Sequence, residues 1–416
     1  MNNWLPLLAT LFIQAMVAMA LLTLPVMAPV AAKDLGVSPA LVGFYVSITY
    51  AGAMFASLTS GTTVSRFGPI RVSQLGLLLC ALGLLLCASP WLPFVALGAL
   101  LIGLGYGPIT PASSQILART TPPDQMGLVF SIKQTGVPVG AMMAGAIVPS
   151  LLLALNWQWS LVIVALACLL SAVMAQPLRT DFDDLRQANL PFQWGTLANP
   201  IRMVLGHRAL ATMAACSFMF SMVQMSLTTY LVTYLHDDLA YGLVSAGLLL
   251  SVTQMGGIAG RILWGVVADK WLGAQKALAL LAVLMASSSL ATALLLPILP
   301  IWGIWIVLIV FGASAIGWNG VYLSEVARQA PEGKASVATG GTLTFTFLGV
   351  VIGPPIFGAL STAFGSYRAG FLPLWCCRLN AFLRKLLRAW EYRKQGDQRR
   401  KRECRGPPMS RSRSRR

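Results

Sequence analysis

The chain has 416 residues; 56% are hydrophobic, 10% are charged, and the formal net charge is +17. An ordinary soluble domain carries about 25% charged residues, so this composition excludes most soluble enzymes and binding domains. The basic excess is local: residues 368–416 hold 16 Lys and Arg against 3 acids, and the first 367 residues hold 14 against 10.

A bilayer core about 30 Å thick is spanned by about 20 helical residues. By that measure the apolar runs predict eleven spans, at about 5–32, 41–62, 72–89, 92–117, 127–153, 157–177, 209–235, 242–268, 274–296, 300–324 and 336–363. The first run lacks a basic n-region and is too long for an h-region, so it reads as a span and not as a signal peptide. The longest polar break carries Arg179, Asp181, Asp183, Asp184, Arg186, Arg202, His207 and Arg208. It divides the chain into an N-terminal six-helix half (1–177), a central loop (178–208), a C-terminal half with five recognisable helices (209–367) and a basic tail (368–416). With the N-terminus inside, thirteen Lys and Arg fall in cytoplasmic segments and their flanks, and only Lys33 falls outside. The positive-inside rule therefore predicts a multi-pass protein of the cytoplasmic (inner) membrane with a cytoplasmic N-terminus. Trp91, Trp157, Trp159 and Trp302 fall at predicted outer span ends, where indole rings favour the headgroup layer. Cys80, Cys87, Cys168 and Cys216 sit singly in apolar runs and read as small buried hydrophobes.

The halves repeat each other weakly. Gly61-Thr-Thr-Val-Ser65-Arg66 closes the second span and Gly265-Val-Val-Ala-Asp269-Lys270 closes the eighth, at an offset of 204. Arg119-Thr-Thr-Pro122 follows the fourth span and Arg328-Gln-Ala-Pro331 the tenth, at an offset of 209. Such a repeat implies a duplicated six-span unit. Duplication predicts a twelfth span after Phe364, but Arg378, Arg384, Lys385 and Arg388 interrupt it, each costing about 2.5–3.5 kcal/mol at a span centre. The tail reads in three ways: a shifted reading frame near residue 373, a basic arm for anionic lipid, or a nucleic-acid arm. The first is preferred. After eleven spans a genuine tail would begin outside, against the positive-inside rule.

The segment Gly265-x3-Asp269-Lys270-x-x-Gly273 resembles the cytoplasmic loop signature of the major facilitator superfamily. Gly61-x3-Ser65-Arg66-Phe67-Gly68 resembles it too, with Ser65 where the family usually has Asp. The fifth span, Gly136-Val-Pro138-Val-Gly140 with Gly145, and the eleventh, Gly349-x3-Gly353-Pro354-Pro355-x2-Gly358, are similar to the Gly- and Pro-rich spans of that family. Ser131-Ile-Lys133-Gln134-Thr-Gly136-Val-Pro138, with Gly103-Leu-Gly-Tyr106-Gly-Pro108 before it, resembles the cyanate/nitroimidazole permease-like branch. The resemblance covers about residues 1–370. It implies an all-α polytopic membrane protein with the major facilitator fold: two six-helix halves, here with the twelfth helix missing or replaced. It also implies a secondary transporter working by alternating access on a small-molecule substrate, a coupling proton, and a monomer in the lipid bilayer.

Within that frame the gating candidates are Arg66, Arg71, Arg261, Asp269, Lys270, Glu325 and Arg328. An acid such as Asp269 is favoured beside a helix N-terminus; as plain solvated loop charges, the same residues would only set topology. Lys133 lies about six residues into the fifth span with no acid well inside any span to pair with it. It is either an anion-binding residue on the solute path or a lysine snorkelling to the interface, since six residues rise only about 9 Å. Gln134, Tyr106, Gln14, Gln224, Trp318 and Asn319 complete the substrate-binding candidates. Gln115, Tyr230 and Tyr322 are further polar groups on spans that line the family's pathway. Each suits a hydrogen bond to substrate, or an interhelical bond worth about 0.6 kcal/mol. Pro25, Pro29 and Pro108 predict kinks near the gates.

The lack of central carboxylates favours a small organic or inorganic anion, or a neutral polar solute, over an organic cation. The competing readings are a multidrug or toxic-compound efflux protein with a permissive cavity, and a truncated, non-transporting product. No Walker loop, catalytic cluster, metal-ligand spacing or cofactor signature is present, so the chain reads as neither an enzyme nor a nucleic-acid partner.

Overall fold

A computed structural model describes residues 4–121, 126–184, 199–331 and 335–376. Arg186, Lys334 and the tail beyond Cys376 lie outside the described residues. Every regular element among the described residues is helical. Eleven stretches are long and apolar enough to cross a membrane. They are Leu5–Val26, Pro39–Ser60, Pro69–Cys87, Leu92–Leu117, Ile132–Ala154, Trp157–Phe182, Arg208–Asp238, Leu243–Leu272, Ala274–Leu294, Ile301–Val326 and Ala338–Phe364. Large apolar side chains such as Leu153, Met174 and Ile262 stay exposed along them, as a lipid-facing surface requires.

The packing repeats from one half to the other. The first span packs on the fifth and the seventh on the eleventh; the second packs on the fourth and the eighth on the tenth; the third packs on the sixth. The ninth span's counterpart of that last contact is a short helix, Arg368–Cys376. Phe371 of this helix is fully buried between Phe357 (ring centroids 4.8 Å) and Tyr234 (5.4 Å). Its carbonyl accepts from Ser289 Oγ at 2.8 Å. Asp238 Oδ2 accepts from Ser366 Oγ and the Tyr367 N–H, fixing the helix start. The first turns of a twelfth helix are thus docked in the place duplication assigns them.

Loop geometry repeats as well. Gly68 (φ 92°) starts the third span and Gly273 (φ 75°) starts the ninth, both in a backbone region that favours glycine. Gly273 stands four residues after Asp269, whereas Gly68 stands three after Ser65. The extra residue is absorbed by a π-helical turn at Ala268–Leu272. At the third span the N-terminal amides of Ile70 and Arg71 donate to Asp183 Oδ1 (2.8 Å) and Oδ2 (3.1 Å). A central-loop acid therefore caps this helix.

The fourth and tenth spans are both broken. The fourth runs Leu92–Tyr106, then Ile109–Thr120; the tenth runs Ile301–Ala315, then Asn319–Gln329. Gly107 and Ile316 occupy the same place in the two breaks, at the offset of 209 seen in the sequence. Discontinuous helices at corresponding positions of two halves point to a midplane site.

The halves meet through the second span against the eleventh and the fifth against the eighth. Here Gly43 and Ser47 match Gly247 and Ser251 at the offset of 204. Ser47 Oγ donates to Val351 O, and Ser251 Oγ donates to Met142 O at 2.9 Å. A Cβ on Gly43 would lie 2.7 Å from Pro354 O, and one on Gly145 would lie 2.6 Å from Gly247 O, so both pairs of backbones touch. Tyr230 of the seventh span donates its hydroxyl to Ala40 O at 2.7 Å and lies 3.0 Å from Pro354 O. These contacts close the molecule in the half that carries Lys33 and Asp237. At the opposite, Arg-rich end, the described ion pairs Arg119–Asp184, Arg179–Asp183 and Arg328–Glu325 each stay beside a single half.

Removing the Asp183 cap by Asp183→Ala should cost about 1 kcal/mol and lower the melting temperature in detergent, with Asp183→Asn falling between variant and parent. Gly43→Val should hold the Lys33-bearing end apart. Labelling of a cysteine placed at Ala40 by a membrane-impermeant thiol reagent would then rise several-fold, and unchanged labelling would contradict the closure described here.

Candidate functional site

The middle of the bundle is organised by prolines. Pro138 has no N–H to return to the carbonyl of Gln134, four residues earlier. The fifth span is accordingly interrupted at Thr135, between helices Met126–Gln134 and Gly136–Ala154. The orphaned Gln134 carbonyl accepts a hydrogen bond from Arg261 Nη1, which arrives from the eighth span in the other half. Arg261 Nε donates to Ile316 O at 3.3 Å, at the break of the tenth span. Ser57, the N-half counterpart of Arg261, bonds the matching carbonyl of Gly107 at 2.8 Å. The duplicated position thus carries a hydroxyl in one half and a guanidinium in the other.

Arg261 therefore lies eight residues inside its helix from Asp269, between the halves. The loop motif had grouped it with the surface charges at the span end, because Gly260-Arg261 adjoins the signature in sequence.

Lys133 precedes the Arg261-bonded residue. Its side chain is 0% exposed, and its Nζ has no hydrogen-bond partner among the described residues. A snorkelling lysine would place its ammonium in water; this one is enclosed. Arg261 acts on it electrostatically. Three residues on, past the break at Thr135, Gly136 packs on Gln14 of the first span. Gln14 is also fully buried. Its Oε1 accepts from Thr110 Oγ1 at 3.0 Å, which leaves Nε2 as a buried donor without a partner. Tyr106 lies within electrostatic reach of Arg261, and its ring is 5.8 Å from Tyr50. Gln134 and Tyr106 thus lie about Arg261, Lys133 adjoins Gln134 in the chain, and Gln14 packs on Gly136 of the same span.

Gln224, Trp318 and Asn319 form a second group. Gln224 Oε1 accepts from Trp318 Nε1 at 2.9 Å and from Asn319 Nδ2 at 3.5 Å. Asn319 Nδ2 also reaches Ile316 O, the carbonyl that Arg261 uses. The two groups meet at that break.

The remaining candidates sit at the Arg-rich end. Arg66 stacks over Phe67 at 5.5 Å. Arg71 Nη1 donates to Gln74 Oε1 at 3.3 Å. Asp269 and Lys270 are exposed on the π-helical turn. Glu325 is buried at the end of the tenth span, where Arg328 (Nε at 2.8 Å), Gln275 (2.9 Å) and Gln329 all donate to it. Tyr230, counted among the pathway groups, is instead wedged between Gly43 and Gly358 at the closed end. Ser47, Ser251 and Asp183 were not singled out from the sequence; the first two were accessible by extending the offset of 204 backwards from Gly61 and Gly265.

Comparison with known proteins places this geometry. The Major Facilitator Superfamily profile matches residues 7–354. An uncharacterized MFS-type transporter of Mycobacterium tuberculosis is 25% identical over 323 residues, covering 77% of this chain and 71% of that protein. A hexuronate transporter of Bacillus subtilis is 22% identical over 256 residues (59% of this chain, 60% of that one). A chloroplastic sodium-dependent phosphate transport protein of Arabidopsis thaliana is 24% identical over 230 residues (52% and 45%). Among solved structures, a nucleoside transporter superposes with a TM-score of 0.76 at 16% identity, over 94% of this chain and 99% of that one. This multi-pass membrane protein belongs to the Major Facilitator Superfamily of transporters.

Proposed function

We propose that this protein is a secondary active transporter of a small organic or inorganic anion. The observation that carries the reading is the donor set at mid-bundle. Lys133 Nζ and Gln14 Nε2 are buried without acceptors among the described residues, and Gln134, next to Lys133, bonds a guanidinium from the other half. Burying a cation without a partner is costly, and a carrier tolerates it where the solute supplies the missing acceptor. Every Asp and Glu of the first 367 residues lies in a loop or at a span end, so nothing in the middle favours a cation. Relatives named for hexuronate and phosphate lean the same way. Within the superfamily, the run from Ser131 to Pro138 favours kinship with the cyanate/nitroimidazole permease-like branch.

The cycle is alternating access. Contacts through Ser47, Tyr230 and Ser251 close the end bearing Lys33. With the Arg-rich end in the cytoplasm, this is an inward-facing form. Arg66, Arg71, Asp269 and Lys270 stand at the end that must close in the other form, with Glu325 and Arg328 clamped together in the C-terminal half. A gradient of the anion or of an accompanying proton drives the cycle, and the chain is read as a monomer in the inner membrane.

In proteoliposomes, Lys133→Gln should lower uptake of a transported anion at least about ten-fold, the equivalent of about 1.4 kcal/mol, without loss of folded protein. Unchanged uptake kinetics would remove Lys133 from the substrate path. Arg261→Gln should weaken binding and also raise labelling of a cysteine at Ala40, since the variant loses a bond between the halves. Export of apolar drugs with no anion flux would favour the efflux reading instead.

A further inference from the structure

Among the described residues, the centre of the molecule brings together two basic side chains and no acid. Lys133 and Arg261 come from opposite halves, and no carboxylate pairs with either among the described residues. Arg261 uses its donors on two main-chain carbonyls, Gln134 O and Ile316 O, which are dipoles and cannot neutralise it. Lys133 Nζ has no acceptor among the described residues.

Alternating access requires an occluded state in which both ends are shut over the solute. In that state the site is cut off from water, and any surplus charge is enclosed in a low-dielectric interior. With a neutral solute two positive charges are enclosed, and with a monoanion one. With a dianion the complex balances. The donor geometry matches two acceptor groups: the guanidinium is a planar fork suited to a carboxylate or phosphate edge, while Lys133 Nζ and Gln14 Nε2 are separate donors on the other half. Thr110 fixes the Gln14 amide with its NH2 group unused.

Resting on the anion reading, we infer that the transported solute is a small dianion, one oxyanion edge held by Arg261 and the rest by Lys133 and Gln14. The site then closes as a neutral complex that bridges the two halves. The counterpart of Arg261 at the offset of 204 is Ser57, so this charge of the site is carried by one half only. Two-fold repetition of the fold does not account for it.

The test uses the full chain, purified in detergent, and reads its melting temperature against ligand concentration. Malonate, succinate and sulfate are compared with acetate, nitrate and the neutral malonamide, at constant ionic strength and low millimolar concentration to keep salting-out small. At least one dianion should half-saturate about ten-fold or more below acetate and nitrate. In Lys133→Met that preference should vanish, with monoanions binding as well as dianions; Arg261→Lys, which keeps the charge, should retain it. Should Lys133→Met fail to fold, the wild-type ranking still decides. Monoanions binding as tightly as every dianion, or a preference unaltered in Lys133→Met, would overturn the dianion inference and leave the anion reading standing. Stabilisation by malonamide alone, or by none of the ligands, would sink both.

Discussion

Inside a bilayer every main-chain carbonyl needs a donor, and each proline in a spanning helix leaves one carbonyl four residues back without its own. In the fifth and eleventh spans of this protein those carbonyls are where the halves join. Pro138 leaves Gln134 O, and Arg261 of the other half fills it. Pro355 leaves Val351 O, and Ser47 of the other half fills it. Pro149 leaves Gly145 O, which lies against Gly247. The helix breakers of the fifth and eleventh spans are therefore the sockets of the interface. Their partners on the eighth and second spans are small or polar where they reach them.

Duplication explains why the sockets come in matched sets, and departures from it mark where the two halves have different work. Gly43 and Ser47 match Gly247 and Ser251, and both pairs serve close approach and a bond to the opposite half. Gly107 and Ile316 match as the broken points of the fourth and tenth spans. Ser57 and Arg261 match in position and in their bond to those carbonyls, yet only Arg261 is long enough to cross the interface as well. A charge on one side of an otherwise symmetric frame gives the site a polarity that the fold alone lacks.

The spans and their grouping into halves were legible because bilayer thickness imposes a long, simple apolar period on the sequence. Lys133 was legible as a charge in an apolar run. Whether it snorkels was not, because that depends on what surrounds the side chain, and the Gln14–Gly136 contact that encloses this stretch joins spans more than a hundred residues apart. The depth of Arg261 was hidden for a related reason: proximity to a loop signature in sequence does not give depth in a helix. Asp183 was counted only as a loop charge. Its capping of Ile70 and Arg71 joins positions 112 or 113 residues apart and has no local signature. The docked start of a twelfth helix at Arg368–Cys376 was similarly obscured, since the basic residues beyond it dominate the composition of the segment.

The bond between Arg261 and the Gln134 carbonyl also ties binding to motion. A carbonyl is a neutral acceptor, whereas an anionic oxygen adds a full opposite charge and, in a carboxylate or phosphate, a bidentate fit to the guanidinium. On the proposed reading, an anion reaching Arg261 is a better partner than the one it has, and taking it replaces the direct bond between the fifth and eighth spans with one through the solute. A ligand shifts a conformational equilibrium only by its differential affinity for the two states. On the proposed cycle the difference has a physical origin: in the state described here Arg261 Nη1 is occupied by Gln134 O of the other half, and separation of the two spans frees it. Because the carbonyl is orphaned by Pro138, it stands ready to take Arg261 back once the anion has left, so the empty carrier returns to a defined arrangement in place of a frustrated one.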